Sequence, residues 1–386
     1  MKKHTIYYFL ALAMVLAAAI FTGCVNTGQG NGERGSDTPP DTPEPNFADE
    51  PYEPTSPSPP IEPEAPDGIV TIGGFEFCIS LTELNLSTLG LQDYDIVPLR
   101  YMVNLRELEL DNNFIFDISP LSYLTGLLTL NLDFNHIVDI APLSGLSNLE
   151  ALHLRQNQIA DITPLFGLAN LVWLDLTRNQ VSDIEALGNL ANLKTLDLSS
   201  LAIYEFGPLE LYAERIVLQE SQYNLIGDLS PLSGLMSLEE LTLIANQISD
   251  LSPLSGLKNL RRLYVPVNQI SDVAPLAELH NLEQLFLFHN EISDVAPLAG
   301  LENLEVLYLH TNQISDIAAL SHLANLKALH LDGNEIGDIT PLVGLGNLER
   351  LFLPDDQGID ATQLSGLANL RQLYIGWEPV GNLGGN

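Results

Sequence analysis

The sequence predicts an α/β solenoid: a curved, right-handed coil of short turns. A parallel β-sheet would line its concave side, with short turns or 3₁₀ segments on the convex side. Three observations predict this. An asparagine recurs every 22 residues, at Asn113, Asn135, Asn157 and Asn179, and again at Asn246, Asn268, Asn290, Asn312 and Asn334. A fixed period in this range marks a coil of stacked repeats. Apolar residues hold fixed places around each asparagine: Leu282, Leu285 and Leu287 stand at −8, −5 and −3 from Asn290, with Ile292 at +2. A run such as Ser293-Asp294-Val295-Ala296-Pro297-Leu298 then follows.

Within a turn, the segment from −6 to −2 reads as a short strand whose side chains alternate between faces. Positions −5 and −3 face the core, so −6, −4 and −2 face outward on the concave side. The asparagine is expected to be buried. A buried amide without partners is costly, so its side chain should bond backbone groups in the turn that ends the strand. Stacked copies would form a polar ladder. A second column holds Asp117, Asp139, Asp161, Asp183, Asp250, Asp272, Asp294, Asp316 and Asp338. An aspartate here caps a turn or short 3₁₀ segment, and proline fits its first turn. Calcium binding is the competing reading. One carboxylate per turn falls short of the roughly six to eight oxygens that calcium takes.

Residues 1–24 read as a targeting segment. Lys2 and Lys3 precede an apolar run from Ile6 to Phe21, which stops at Phe21-Thr22-Gly23-Cys24. Such a stretch is a signal peptide rather than a spanning helix. Its last four residues resemble the bacterial lipobox, whose cysteine is diacylated and becomes residue one of the mature protein. Phe21 stands where that motif usually has leucine. The resemblance implies lipidation of Cys24 and an extracytoplasmic protein anchored to the cell envelope. Plain secretory cleavage is the alternative.

Residues 25–68 read as a linker. Eleven prolines fall between Pro39 and Pro66, interleaved with Asp, Glu, Ser and Thr. Such a segment cannot bury a core and stays extended. In polyproline form it would reach on the order of 100 Å, a stalk between membrane and solenoid. Residues 69–80 read as an N-terminal cap. Two short apolar runs flank Gly73-Gly74, a hairpin signal, and a solenoid needs its first core layer covered. With Cys24 lipidated, Cys78 has no disulfide partner and is expected as a small buried hydrophobe.

The repeats run over residues 81–375. The first turn is longer and has Leu89 in the asparagine slot; the fifth regular turn after it has Leu201 there. Residues 199–228 are irregular. Ile216 and Leu218 fit a strand if Ser221 takes the slot, whereas Asn224, Ile226 and Asp228 fit the downstream register. The last turn has Asp356 in the slot, and Leu370 to Ile375 supplies a closing strand. Residues 376–386 form a tail without a sorting motif.

The chain has 386 residues, a net charge of −35, 46% hydrophobic residues and two cysteines. That supplies a large core for one elongated domain, expected as a monomer. The acidity argues against nucleic acid, which needs a basic footprint. No cofactor fingerprint, nucleophile elbow, phosphate loop or His-Glu-x-x-His pattern is present, so neither a cofactor nor an enzyme is expected.

The pattern Leu-x-x-Leu-x-Leu-x-x-Asn-x-Ile-Ser-Asp-Ile-x-Pro-Leu resembles the leucine-rich repeats of bacterial internalins and related surface proteins. The resemblance covers Leu81 to about Ile375. It implies binding of surface proteins by the concave sheet, often through exposed aromatics. The chain departs from that family in its hairpin cap, in having no immunoglobulin-like domain after the repeats, and in its N-terminal lipid anchor.

The −4 column carries the functional signal. It reads Asn85, Glu109, Asn131, His153, Asp175 and Asp197 in the first half, then Val217 and Thr242, then Tyr264, Phe286, Tyr308, His330, Phe352 and Tyr374 in the last six turns. Phe288 and His310 add two rings from the −2 column. Contiguous exposed apolar surface usually marks a binding site, and Tyr and Trp are common anchors. Cross-strand stacking is the competing explanation, but it should apply equally to the first half, where Trp173 is the one large strand aromatic. These eight residues are therefore the candidate ligand site, with Arg262 and Arg350 as a polar rim. His289, His310 and His330 sit in different columns, so a metal site is not expected. The partner is read as a protein or peptide. A polysaccharide or cell-wall glycan is the alternative, since sugars also stack on aromatic rings.

Overall fold

The computed structural model describes residues 68–201, 223–355, 359–376 and 378–380. The signal segment with Cys24, the linker up to residue 67, most of the irregular stretch, Asp356 and the last six residues lie outside the described residues.

β1 (Ile69–Ile72) and β2 (Phe75–Cys78) form an antiparallel hairpin. Gly73 and Gly74 turn it with φ of 56° and 87°, a conformation that glycine adopts at no steric cost. A Cβ on Gly73 would also lie 2.5 Å from Leu91 Cδ2, so the turn packs directly on the first coil. Val70, Ile72 and Phe77 are buried and join the core cluster that runs on to Leu373.

Thirteen short parallel strands follow in one sheet, in sequence order. They are β3 (Glu83–Asn85), β4 (Glu107–Glu109), β5 (Thr129–Asn131), β6 (Ala151–His153), β7 (Trp173–Asp175), β8 (Thr195–Asp197), β9 (Glu240–Thr242), β10 (Arg262–Tyr264), β11 (Gln284–Phe286), β12 (Val306–Tyr308), β13 (Ala328–His330), β14 (Arg350–Leu353) and β15 (Gln372–Ile375). A two-residue strand, β16 (Glu378–Pro379), pairs antiparallel to β15 at the edge. The first long turn also holds a one-turn helix, α1 (Asp93–Ile96). Most other turns cross the convex side in a 3₁₀ segment such as Ala296–Gly300. The expected α/β solenoid is the observed fold. Among the described residues no helix is long and apolar enough to cross a membrane.

Most strands span only −6 to −4, shorter than the expected −6 to −2. Inter-turn hydrogen bonds nevertheless continue, from Leu287 N–H to Tyr308 O and from His289 N–H to His310 O. A bend stops the strand. The residue before the asparagine has positive φ in turn after turn: Thr88, Asn112, Phe134, Gln156, Arg178, Ala245, Val267, His289, Thr311 and Gly333, at 52–65°. Only one of these is glycine. For a β-branched residue such as Val267 or Thr311 this region is strained.

The asparagines hold that bend. Asn290 Oδ1 accepts from Ile270 N–H of the preceding turn at 3.0 Å; its Nδ2 donates to Val265 O at 3.1 Å and Leu287 O at 3.0 Å. The same triad recurs from Asn113 to Asn334 except at Asn246, whose Nδ2 donates to Leu198 O and Ile244 O. Six of the nine predicted members are buried, while Asn268, Asn312 and Asn334 are half-buried. The aspartates cap as expected. Asp294 Oδ1 accepts from Ala296 N–H at 2.8 Å, and ten other turns repeat the contact, from Asp117 to Asp360. Hydrogen bonds from Thr163 and from Ser252 hold the Asp161 and Asp250 carboxyls below the usual carboxylate range.

β8 pairs directly with β9, Leu196 opposite Leu241; Ile216 and Leu218 lie outside the described residues. Asn224 takes the slot. Its Oδ1 accepts from Val181 N–H at 2.9 Å, and its Nδ2 donates to Leu176 O and Leu198 O, both at 3.0 Å. Ser200 Oγ donates to Asn224 O at 2.7 Å.

Cys78 departs from expectation. It is half-buried rather than fully buried, with Sγ 3.0 Å from Ser80 Oγ. The sequence has one other cysteine, Cys24.

Candidate functional site

Strand register places the rings in one file. Tyr264, Phe286, Tyr308, His330, Phe352 and Tyr374 are Cα partners on six successive strands. Neighbouring strands lie roughly 4.8 Å apart, close to the thickness of a stacked ring pair. Ring centroids are 4.7 Å apart for Tyr264–Phe286, 4.6 Å for Phe286–Tyr308, 4.5 Å for His330–Phe352 and 4.5 Å for Phe352–Tyr374. Tyr308 meets His330 edge-on at 5.8 Å. A second file stands beside the first. Phe288 stacks on His310 at 4.2 Å, and His310 on His330 at 4.0 Å.

The structure brings all eight candidate residues together, but it does not display them as bare rings. Seven are at most 7% exposed, and Tyr374 is half-buried. Stacking at van der Waals distance hides both faces of an inner ring, so the competing explanation, cross-strand packing, is at work here. Tyr264 OH donates to Gln284 Oε1 at 2.8 Å. Arg262 is held by Glu240 at 2.6 Å rather than standing free as a rim cation.

The histidines are the chemically odd members. None of the four ring nitrogens of His310 and His330 has a hydrogen-bond partner, and both side chains are 1% exposed. Burial lowers the His310 pKa well below the usual histidine value, and nearby His330 and His289 lower it further. Burial alone lowers His330 to about 3. Both rings are neutral and serve as flat apolar groups. His289 meets His310 edge-on at 5.9 Å. Among the described residues no group of three His, Cys, Asp or Glu side chains is placed to hold a metal ion.

The first half of the concave face differs in kind. Glu109, Asn131, His153, Asp175 and Asp197 are half-buried polar groups. Asp133, in the −2 column, has its pKa raised to about 7, mainly by burial and then by the Asp175 charge. Burial likewise raises Asp197, again with Asp175 as the charge that opposes ionisation. Sequence reasoning missed this second carboxylate column, although Asp111 and Asp133 stand at −2 in successive turns. It also missed a second asparagine ladder, on the flank leading into the strands. There Asn148, Asn170 and Asn192 each donate to a backbone carbonyl of the previous turn at 2.8–2.9 Å. Its signal was the recurring Asn-Leu pair.

The family model described as leucine rich repeats (2 copies) matches residues 125–167, 237–278 and 280–322. No curated protein matches the chain. Among solved structures, an internalin (inlF) from Listeria monocytogenes is 31% identical, covering 78% of this chain and 89% of its own, with a TM-score of 0.64. The leucine-rich repeat protein LIC12759 of Leptospira interrogans is 26% identical over 77% of this chain and 70% of its own, with a TM-score of 0.61. The functional domain of InlJ from Listeria monocytogenes shares the fold at 20% identity, with a TM-score of 0.63 over 78% of this chain and 65% of its own. By its repeats, its ladder and these likenesses, the chain belongs to the leucine-rich repeat proteins of the internalin-like family.

Proposed function

We propose that this is a non-enzymatic surface protein whose C-terminal concave face binds a protein or peptide partner. The observation that carries the reading is the asymmetry of one column. Six successive strands place a ring at −4 beyond the irregular turn, and no strand before it places a Phe, Tyr or Trp there. Core packing makes no such demand, because −5 and −3 already fill the interior. The repeat fold is commonly used for protein–protein interaction, and a plant peptide hormone receptor of this fold, RGFR1, has been solved in complex with RGF2. Sugar rings stack on ring faces, and here those faces are engaged with one another. That counts against the glycan alternative and leaves ring edges, hydroxyls and flanking side chains to meet a polypeptide.

The test pairs Phe286→Leu and Tyr308→Leu, which keep apolar volume, against Glu109→Ala and Asp175→Ala. Alanine at the ring positions would cost about 3–5 kcal/mol of folding each and confuse the result. Surface proteins and glycans are screened, and the partner is titrated against both double variants. The ring variant should bind far more weakly. Equal binding, or a larger loss from the acidic pair, refutes the reading.

We also propose that Cys24 is lipidated and that the linker lifts the solenoid off the membrane. The lipobox-like Phe21-Thr22-Gly23-Cys24 after an apolar run supports this. The mature protein should begin at a diacylated Cys24 and partition into detergent, and Cys24→Ala should block processing. An intact Cys24–Cys78 disulfide in the mature protein, found by non-reducing peptide mass analysis, refutes it.

A further inference from the structure

On the flank leading away from the strands, each turn presents two outward positions, +1 and +3 from the ladder asparagine. Most turns fill them with polar residues: Gln158, Gln180, Gln247 and Gln269 at +1, and Ser249, Ser271, Ser293 and Ser315 at +3. The first two regular turns break the rule. They carry Phe114 and Phe116, then His136 and Val138. Phe114 and Phe116 are each 55% exposed and Val138 is 56% exposed. His136 stacks against both rings, at 6.1 Å from Phe114 and 4.9 Å from Phe116. Tyr94 on α1, 69% exposed, extends the apolar surface toward the cap. α1 is tied to it through Asp93, whose Oδ1 accepts from the Phe116 and Asp117 N–H groups. Packing within the coil does not explain these side chains. They stand where most other turns carry Gln or Glu at +1 and Ser, Ala or Gly at +3, with exposed Leu225 as the single apolar exception among those turns, and Ile115 and Ile137 between them fill the core.

Between Arg106 and Arg155 the charge along the sequence has one sign. From Glu107 to Leu154 the sequence holds seven carboxylates and no lysine or arginine. Exposed Asp117 and Asp139 sit beside Phe116 and Val138. This complementarity selects among occupants. The chain's own linker enters next to the first turn at Gly68, yet residues 35–67 are acidic and hold no lysine or arginine. A second copy, at net charge −35, is repelled as well. A polypeptide that sets apolar residues among lysines and arginines meets both demands: its apolar groups cover the rings, and its cations meet the carboxylate rim and the ring faces.

We propose that this flank patch, centred on Phe116 and His136, is a second docking surface that takes a basic, apolar protein segment. It is separate from the concave ring file and goes beyond the function proposed above.

The test uses the purified full chain and a synthetic Lys/Leu amphipathic peptide, with a Glu/Leu twin of equal length. The key variant combines Phe114→Gln, Phe116→Ser, His136→Gln and Val138→Ser. It installs the residues that other turns carry, so the coil and its charge are kept; Phe116→Ser with Val138→Ser alone is the milder second variant. Titration at physiological salt should show binding of the Lys/Leu peptide to the wild type. At least tenfold weaker binding is expected for the fourfold variant, and an intermediate loss for the double variant. Phe286→Leu with Tyr308→Leu should bind it as the wild type does, which separates this surface from the concave one. Four outcomes overturn the proposal. They are no binding to the wild type, equal binding to the fourfold variant, equal binding of the Glu/Leu twin, and a wild-type dimer in light scattering that the fourfold variant abolishes.

Discussion

Asn290→Ala is the sharpest probe of what holds the coil. The wild-type amide serves four backbone groups: Ile270 N–H, Val265 O, Leu287 O and, more weakly, Phe288 O, which also accepts from Val267 N–H. The other two carbonyls survive its loss as well, because Val265 O also accepts from Asn268 Nδ2 at 3.2 Å and Leu287 O from Asn312 Nδ2 at 3.0 Å. Ile270 N–H is left buried without an acceptor, which costs about 1–3 kcal/mol. Asn113→Ala should cost about 1 kcal/mol more. There Leu91 N–H loses its acceptor, and Leu86 O also loses its donor, since Leu89 occupies the slot one turn earlier. Urea denaturation followed by circular dichroism gives the global cost. Hydrogen exchange at Ile270 and Leu91 gives the local one, a useful second readout because repeat arrays can unfold in parts. An Asn290→Ala protein with wild-type stability and a still-protected Ile270 amide would show that the ladder is not what satisfies the bend. So would an end variant no worse than the middle one.

Two further predictions follow from backbone strain and from charge. Thr311 is exposed at φ 54°, so Thr311→Gly should raise stability, by about 1 kcal/mol at most once the relief of left-handed strain is set against the added entropy of the unfolded chain. Gly333→Val should lower it, because its Cβ would lie 3.1–3.2 Å from Thr311 atoms at φ 65°; thermal melts that rank the two variants the other way would refute this. Asp133 has a folded pKa raised to about 7. Between the ordinary carboxylate value and pH 7 the folded protein keeps a proton that the unfolded chain has released, so this contribution is full below about pH 4 and is lost as pH rises through 7. His330, lowered to about 3, acts oppositely: the unfolded chain takes up a proton below about pH 6.5, so stability falls as the solution is acidified. Asp133→Asn should therefore gain stability relative to wild type above pH 7, and His330→Phe below pH 5. Parallel wild-type and variant stability curves across that range would refute both assignments.

The repeat itself was plain in the sequence because period and chemistry agree at Asn, Leu and Asp in turn after turn. The slot of the irregular turn was not plain. Ser221 and Asn224 both fit a local pattern, and only the pairing of β8 with β9 decides for Asn224. The positive-φ column left no trace in residue type, since Thr, Phe, Arg, Val and His all occupy it; the neighbouring asparagine imposes the bend. The ring file was legible as a column. Its burial was not, because exposure depends on how closely successive rings stack, which spacing along the chain does not reveal. The flank rings Phe114 and Phe116 were visible as letters. They became meaningful once +1 and +3 were known to face solvent.

The bond between Ser200 and Asn224, 24 residues apart in sequence, has an evolutionary consequence. The downstream arm is registered by the phase of its asparagines and not by the number of residues before them. Asn224 hands its hydrogen bonds to Leu176 and Leu198 as if nothing intervened. Each doubling of a loop's length costs only about 0.6 kcal/mol in closure entropy. This seam is therefore a site where a lineage can lengthen, shorten or replace sequence between two rigid arms without renegotiating the core of either.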